Sequence, residues 1–164
     1  MPKPPYDLSW LSEKSYYNHL IRIVEKLFAR LGSNLQGILT FGSLAKGKAI
    51  YNEEHQSDID LLVIAENIPI NVLSRAKKEW EYLGLDGLGT HIIWKTSTEL
   101  EMLVDKHRAF IFEVIRDGKI IYDPDNWLKE LKYKVQELIQ QLVLIETESA
   151  WVWPQKVPGS EIEW

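Results

Sequence analysis

The chain has 164 residues, 45% hydrophobic and 26% charged, which fits one globular domain with a real core and excludes a disordered chain. A formal net charge of −5 speaks against an extended nucleic-acid surface but leaves room for a local basic pocket holding one nucleotide. The absence of cysteine excludes disulfides and thiolate metal sites, and neither a membrane-length apolar run nor a signal-like start is present in the sequence, so no membrane association and a cytoplasmic location are expected.

Residues Ser12 to Leu31 carry apolar positions at helical spacing (Tyr16, Leu20, Ile23, Leu27, Leu31), with Ser12 as N-cap and Gly32 as C-cap. Leu35 to Phe41 reads as a strand. Gly42 to Gly47 is a small-residue turn able to open a short helix, and polar Tyr51 to Ser57 is a loop. Ile59 to Ala65 is a near-continuous β-rich run, the pattern of a strand covered on both faces. Asn71 to Leu83 returns to helix, with Val72, Leu73, Ala76, Trp80 and Leu83 on one side. A Gly-rich hinge, Gly84 to Gly89, leads into a third strand, THIIWKT.

Thr98 and Glu101 suggest a capping box for a helix through Leu103. A short helix over Arg108 to Arg116 precedes a fourth strand, Lys119 to Tyr122. Asp125 is the expected N-cap of a long amphipathic helix reaching about Ile145. The order of elements predicts an α/β or α+β fold with a small sheet. The domain is read as 1–164, with its core at about 12–146 and a Trp-rich tail at 147–164. Of seven tryptophans, Trp10, Trp80, Trp94 and Trp127 fall in or beside periodic segments and are expected to pack. Trp151, Trp153 and Trp164 lie in the tail, which is expected to pack back, cover a partner surface or support self-association into a homo-oligomer.

The informative window is Gly37 to Glu66, GILTFGSLAKGKAIYNEEHQSDIDLLVIAE. A glycine at 42 lets backbone approach a phosphate, because no Cβ stands in the way. The helix start that follows offers free N–H groups and the positive end of its dipole, and Ser43 adds a hydroxyl. On a strand, residues i and i+2 share a face, so Asp58 and Asp60 project together while Ile59 points into the core. Paired carboxylates suit Mg²⁺, a hard cation that completes its shell with water and phosphate oxygens. These parts would hold a nucleoside triphosphate, so that a hydroxyl could displace pyrophosphate at the α-phosphorus.

FGSLAKGKA followed by SDIDLLVI resembles the minimal nucleotidyltransferase family of the DNA polymerase β-like superfamily. Gly42, Ser43, Ala45, Gly47, Ala49, Ser57, Asp58 and Asp60 match its pattern, and IRDGKIIYD (Ile115 to Asp123) resembles a later segment of it. The resemblance covers about Ile21 to Tyr133. It implies a four-stranded mixed sheet backed by helices, Mg²⁺ (with a two-metal site as one form) and an NTP, foremost ATP, with transfer of a nucleotide to a protein or small-molecule hydroxyl. Many relatives are similar to antitoxins that adenylylate a helical partner toxin, so a toxin-like partner protein is a further expectation. The alternative is a catalytically weakened module that binds nucleotide or partner.

Two departures matter. Tyr51 to Gln56 looks like an insert in the loop between Ser43 and Asp58, and a longer surface loop costs little. The third carboxylate expected on the next core strand is replaced by His91. His91 reads either as a general base or nitrogen ligand, or as a hydrogen-bonded strand end in a site reduced to binding. Asp86 and Glu113 are carboxylates without the right strand position. Lys46 reads as a phosphate contact or an exposed lysine, and Lys48 as an exposed turn lysine. The expected site is therefore Asp58 and Asp60 on the metal, His91 with them in catalysis, and Gly42, Ser43, Lys46 and Ser57 on the nucleotide.

Overall fold

The structure, a computed structural model, describes residues 4–11, 14–142, 145–146 and 151–152. Four strands form one mixed sheet: β1 (Leu35–Phe41), β2 (Ile59–Ala65), β3 (Thr90–Lys95) and β4 (Lys119–Tyr122), in the order β3-β2-β1-β4. β1 runs antiparallel to β2 and β4, while β2 and β3 are parallel. A parallel pair needs a crossover, and α3 (Val72–Leu83) supplies it.

Alternation along the central strands sorts the core into two layers. Ile38, Ile59, Leu61 and Val63 pack with Tyr16, Leu20, Ile23 and Leu27 of α1 (Lys14–Leu31). Leu39, Phe41, Leu62 and Ile64 pack on the other side against α4 (Ser97–Asp105), α5 (Ala109–Asp117) and α6 (Trp127–Gln141). β1 and β2 are covered on both faces, which is why they read as continuous apolar runs. The expected α/β architecture with a four-stranded mixed sheet is the one observed. Among the described residues no helix is long and apolar enough to cross a membrane.

Several local expectations are corrected. Ser12 and the tail tryptophan side chains lie outside the described residues. The capping box of α4 sits two positions early: Glu99 N donates to Thr96 Oγ1 at 3.1 Å, and Thr96 N donates to Glu99 Oε2 at 2.9 Å. Thr98 therefore lies inside the helix, because β3 stops at Lys95 and Thr96 is the residue left in extended conformation. For α6, Asp123 rather than Asp125 satisfies the first turn, accepting from Leu128 N at 3.1 Å and Lys129 N at 2.9 Å. Asn126 holds the cap position in a left-handed conformation that brings Asp123 round to these donors. The helix ends at Gln141 instead of Ile145. The backbone of β5 (Ile145–Glu146) then pairs antiparallel with β6 (Trp151–Val152).

α3 is rotated away from its expected apolar stripe: Val72, Leu73, Ala76 and Trp80 are exposed, and Leu83 alone of the five is buried. Arg75 decides the rotation. Its buried guanidinium donates to Trp94 O at 2.8 Å and Glu99 Oε1 at 2.7 Å, while Glu79 accepts from Trp94 Nε1 at 2.7 Å. A polar clamp to β3 and α4 thus outweighs the burial of four apolar side chains. Trp94 is buried and Trp10 and Trp127 are partly buried, as expected, but Trp80 is 60% exposed.

Candidate functional site

β1 ends at Phe41, β2 begins beside it, and β3 follows in register, so the ends of three strands meet at one end of the sheet. The pairs Phe41↔Asp60 and Asp60↔His91 put Gly42, Asp60 and His91 next to one another. Asp58 immediately precedes β2 and is exposed; strand alternation gives it the same side as Asp60.

The closest fit in the site is between Gly42 and Asp60. Gly42 has φ +68°, and a Cβ there would press into the Asp60 carboxylate, 3.1 Å from Cγ with Oδ2 nearer still. Only glycine gives both the left-handed turn and the space. The short helix α2 (Gly42–Ala45) begins at this point with no side chain capping it, so the first N–H groups of Ser43 and Leu44 have no partner within the helix. Asp60 is held from behind by Thr40, whose buried hydroxyl donates to Asp60 O at 2.9 Å. Sequence reasoning overlooked Thr40, although a lone hydroxyl within an apolar strand, two positions before the glycine, was a usable signal.

His91 Nδ1 lies 3.4 Å from Asp60 Oδ1, with the imidazole 66% exposed and the carboxylate 26% exposed. Burial raises the Asp60 pKa above the ordinary aspartate value, and the nearby Asp58 charge adds to this, while the His91 bond and charge oppose it. A carboxylate kept partly desolvated beside a second carboxylate is a site whose charge a bound cation would relieve. The oxygen donors of Asp58 and Asp60 fit a hard divalent ion. Among the described residues, no group of three His, Cys, Asp or Glu side chains is gathered closely enough to hold a metal ion.

The remaining expected residues each have partners within the chain. Ser57 closes the loop: Ile50 N donates to Ser57 Oγ at 3.0 Å and Ser57 N donates to Ile50 O at 2.8 Å. Buried Tyr16 ties the same two residues, its hydroxyl lying 2.8 Å from Ile50 O and 3.0 Å from Ser57 O. The insert is a small self-contained turn in which Asn52 Oδ1 accepts from Glu54 N and His55 N. Lys46 Nζ is 2.7 Å from Glu113 Oε1 and 3.7 Å from Asp117 Oδ2, and the Glu113 bond raises its pKa. Glu113 therefore acts through Lys46, bracing α2 against α5, and stands apart from the Asp58/Asp60 pair. Asp86 lies away from the site as well, paired with Arg22 and Lys26 of α1.

The family model described as polymerase beta, nucleotidyltransferase matches residues 22–126. A protein of Methanocaldococcus jannaschii, provisionally named a protein adenylyltransferase, is 29% identical over 147 residues, covering 86% of this chain and 96% of that protein. A solved toxin–antitoxin structure with AMP-PNP is 21% identical, covers 74% of this chain and 87% of its own, and superposes with a TM-score of 0.47. The toxin–antitoxin MntA–HepT is 18% identical, covering 77% and 88%, with a TM-score of 0.44.

Proposed function

Since the chain belongs to the polymerase β nucleotidyltransferase family, we propose that it transfers the nucleoside monophosphate of an NTP, ATP foremost, to a hydroxyl of a protein acceptor. The observation that carries this reading is the fit of Gly42 against Asp60, which sets a bare helix start and a carboxylate pair at one end of the sheet. The name of the archaeal relative, which this chain matches over nearly the whole of that protein, favours a protein acceptor over a small molecule.

In this mechanism the N–H groups of Ser43 and Leu44 and the Ser43 hydroxyl hold the β- and γ-phosphates. Asp58 and Asp60 would hold Mg²⁺, which would supply neutralisation of the charge developing on the phosphates. His91 Nδ1 faces Asp60 Oδ1 at 3.4 Å, so Nε2 is the ring nitrogen turned to take the proton of the attacking hydroxyl. The acceptor oxygen bonds to the α-phosphorus as the bond from that phosphorus to the pyrophosphate oxygen breaks, and the proton moves to His91. Thr40 keeps Asp60 from drifting by fixing its backbone.

The test is incubation of the chain with α-labelled ATP, Mg²⁺ and candidate acceptors, including the product of an adjacent reading frame. Label on a protein acceptor, lost in Asp60→Asn and reduced by about 10²-fold or more in His91→Ala, is the expected result. Nucleotide binding with no transfer to any acceptor would sink the catalytic reading. A second reading is favoured by one observation, that His91 stands where the motif has an acid and no three-ligand cluster forms among the described residues. In that reading the site only binds nucleotide or a partner. Transfer separates the two: the catalytic reading requires label on an acceptor, and the binding reading requires calorimetric binding of ATP–Mg²⁺ or of a partner with no transfer by the wild type.

A further inference from the structure

Beyond the carboxylate site, the same end of the sheet carries a cluster of opposite sign. β4 exposes Lys119 at the sheet edge, and α6 lies alongside with Lys129, Lys132 and Tyr133. With Arg116 at the end of α5 they line a cleft of about 450 Å³, a volume within the range of small-molecule sites. Among the described residues that line it are four cations and one carboxylate, Asp117, in a chain of formal net charge −5.

Asp117 does not neutralise the cluster, because it is already engaged. Arg116 donates to both of its oxygens, at 2.6 Å and 2.8 Å, and Lys46 stands 3.7 Å away. Among the described residues no carboxylate lies within ion-pair distance of Lys119, Lys129 or Lys132. Lysines scattered on a convex surface are ordinary and solvated. Here they line a concavity, and Lys132 is partly withdrawn from water.

The Lys132 ammonium donates to Gly118 O at 2.6 Å, which leaves two of its N–H groups for another acceptor. Its pKa is held below the ordinary lysine value, first by burial and then by the neighbouring Lys119 charge. An anion between the two ammonium groups would remove that penalty. The exposed ring of Tyr133 at the rim offers a flat face on which a base could stack.

Register places this cleft relative to the first site. Thr40 pairs with Lys119 on one side of β1, and Phe41 pairs with Asp60 on the other. Lys119 thus stands two strands from Asp60, about 10 Å by strand spacing, at the same end of the sheet.

We propose that the cleft between β4 and α6 is a second anion site, separate from the Asp58/Asp60 site, that takes a small phosphate-bearing ligand on Lys119, Lys129 and Lys132. The ligand is a nucleoside phosphate or an inorganic polyphosphate, and the two share the chemistry the lysines recognise. The site does not depend on nucleotidyl transfer: it stands whether or not the carboxylate site turns over.

The experiment is calorimetric titration of the full chain carrying Asp60→Asn, which disables the first site, with sodium tripolyphosphate and separately with AMP, without divalent cation. Saturable binding with one ligand per chain is expected, weakened at least about tenfold by Lys119→Glu and also by higher salt. AMP binding that falls in Tyr133→Ala, with tripolyphosphate unaffected, assigns the site to a nucleoside phosphate. Tripolyphosphate binding without AMP binding assigns it to the inorganic chain. Lys119 is exposed, so Lys119→Glu leaves the fold intact whereas Lys132→Gln removes a bond to Gly118 O, and circular dichroism checks it. Absence of saturable binding by either probe, or binding unchanged by Lys119→Glu, overturns the proposal. Binding present in the wild type and lost in Asp60→Asn overturns it too, since the ligand then occupied the first site.

Discussion

Gly42→Ala tests the close approach on which the site rests, and Gly47→Ala supplies an internal control. Both glycines have φ +68°, so alanine at either meets the same left-handed penalty, roughly 1–2 kcal/mol. A Cβ added at Gly47 meets nothing within 4 Å, so its substitution should cost that amount and no more. At Gly42 the new Cβ meets the Asp60 carboxylate, and overpacking of this kind typically adds about 1–3 kcal/mol. Gly42→Ala should therefore lose about 2–5 kcal/mol in urea denaturation, against about 1–2 for Gly47→Ala. Restoring ordinary contact near 3.5 Å displaces the carboxylate by roughly 1 Å, a misplacement able to cost about 10²-fold in rate. Label transfer from α-labelled ATP should fall accordingly in Gly42→Ala while Gly47→Ala keeps most of its rate. Equal stability losses in the two variants, with transfer intact in both, would refute the steric argument.

Other outcomes follow from the same contacts. The folded-state pKa of Asp60 is raised, so its contribution to stability is full below the ordinary aspartate value of 3.8 and is lost as pH rises through the folded value. Asp60→Asn should then raise the urea midpoint at pH 7 in metal-free buffer, with the advantage shrinking towards pH 3. Asp117 has the opposite sign: Arg116 first, and Lys46 and Lys132 further off, hold its pKa down, so its contribution is present at neutral pH and lost as pH falls through the lowered value. Asp117→Asn should lower the midpoint at pH 7 and leave it little changed in strong acid. Arg75→Met leaves Glu99 and the Trp94 carbonyl without their donor, and thermal denaturation should report a loss of about 3 kcal/mol or more. Trp80→Ala, by contrast, should stay within about 0.5 kcal/mol of wild type, because the ring is exposed.

Strand existence and bounds were legible because β1 and β2 are sandwiched between two helical layers and must be apolar throughout. The grouping of Gly42, Asp60 and His91 followed from a strand–turn–strand pattern and needed only the sheet order to bring His91 alongside. The rotation of α3 was not legible, because periodicity counts apolar side chains and gives no weight to a buried guanidinium with three acceptors. The caps of α4 and α6 were each misplaced by two positions, since Thr96 and Thr98, or Asp123 and Asp125, are chemically equivalent until backbone conformation chooses between them. For Lys46 and Ser57 the sequence shows a donor without its neighbours, and the structure adds Glu113 and Ile50 as what each meets within the chain. The basic cleft was invisible for the same reason, as its lysines are spread over β4 and α6 and never form a run.

The position of β4 also bears on the order in which the molecule assembles. β1 and β2 can pair as soon as the chain has passed Ala65, but β4 returns to β1 only from position 119 onward. Its outer edge is then met by the N-terminal segment, where Asp7 N donates to Ile121 O at 2.7 Å. During synthesis, β1 waits with one side unpaired through the whole of β2, α3, β3, α4 and α5. A nascent chain stalled before β4 exposes that edge to other strands, the situation in which aggregation begins. Emergence of Lys119–Tyr122 from the ribosome is thus the event that completes the four-stranded sheet, with the segment around Asp7 closing over the strand that this sheet gains last.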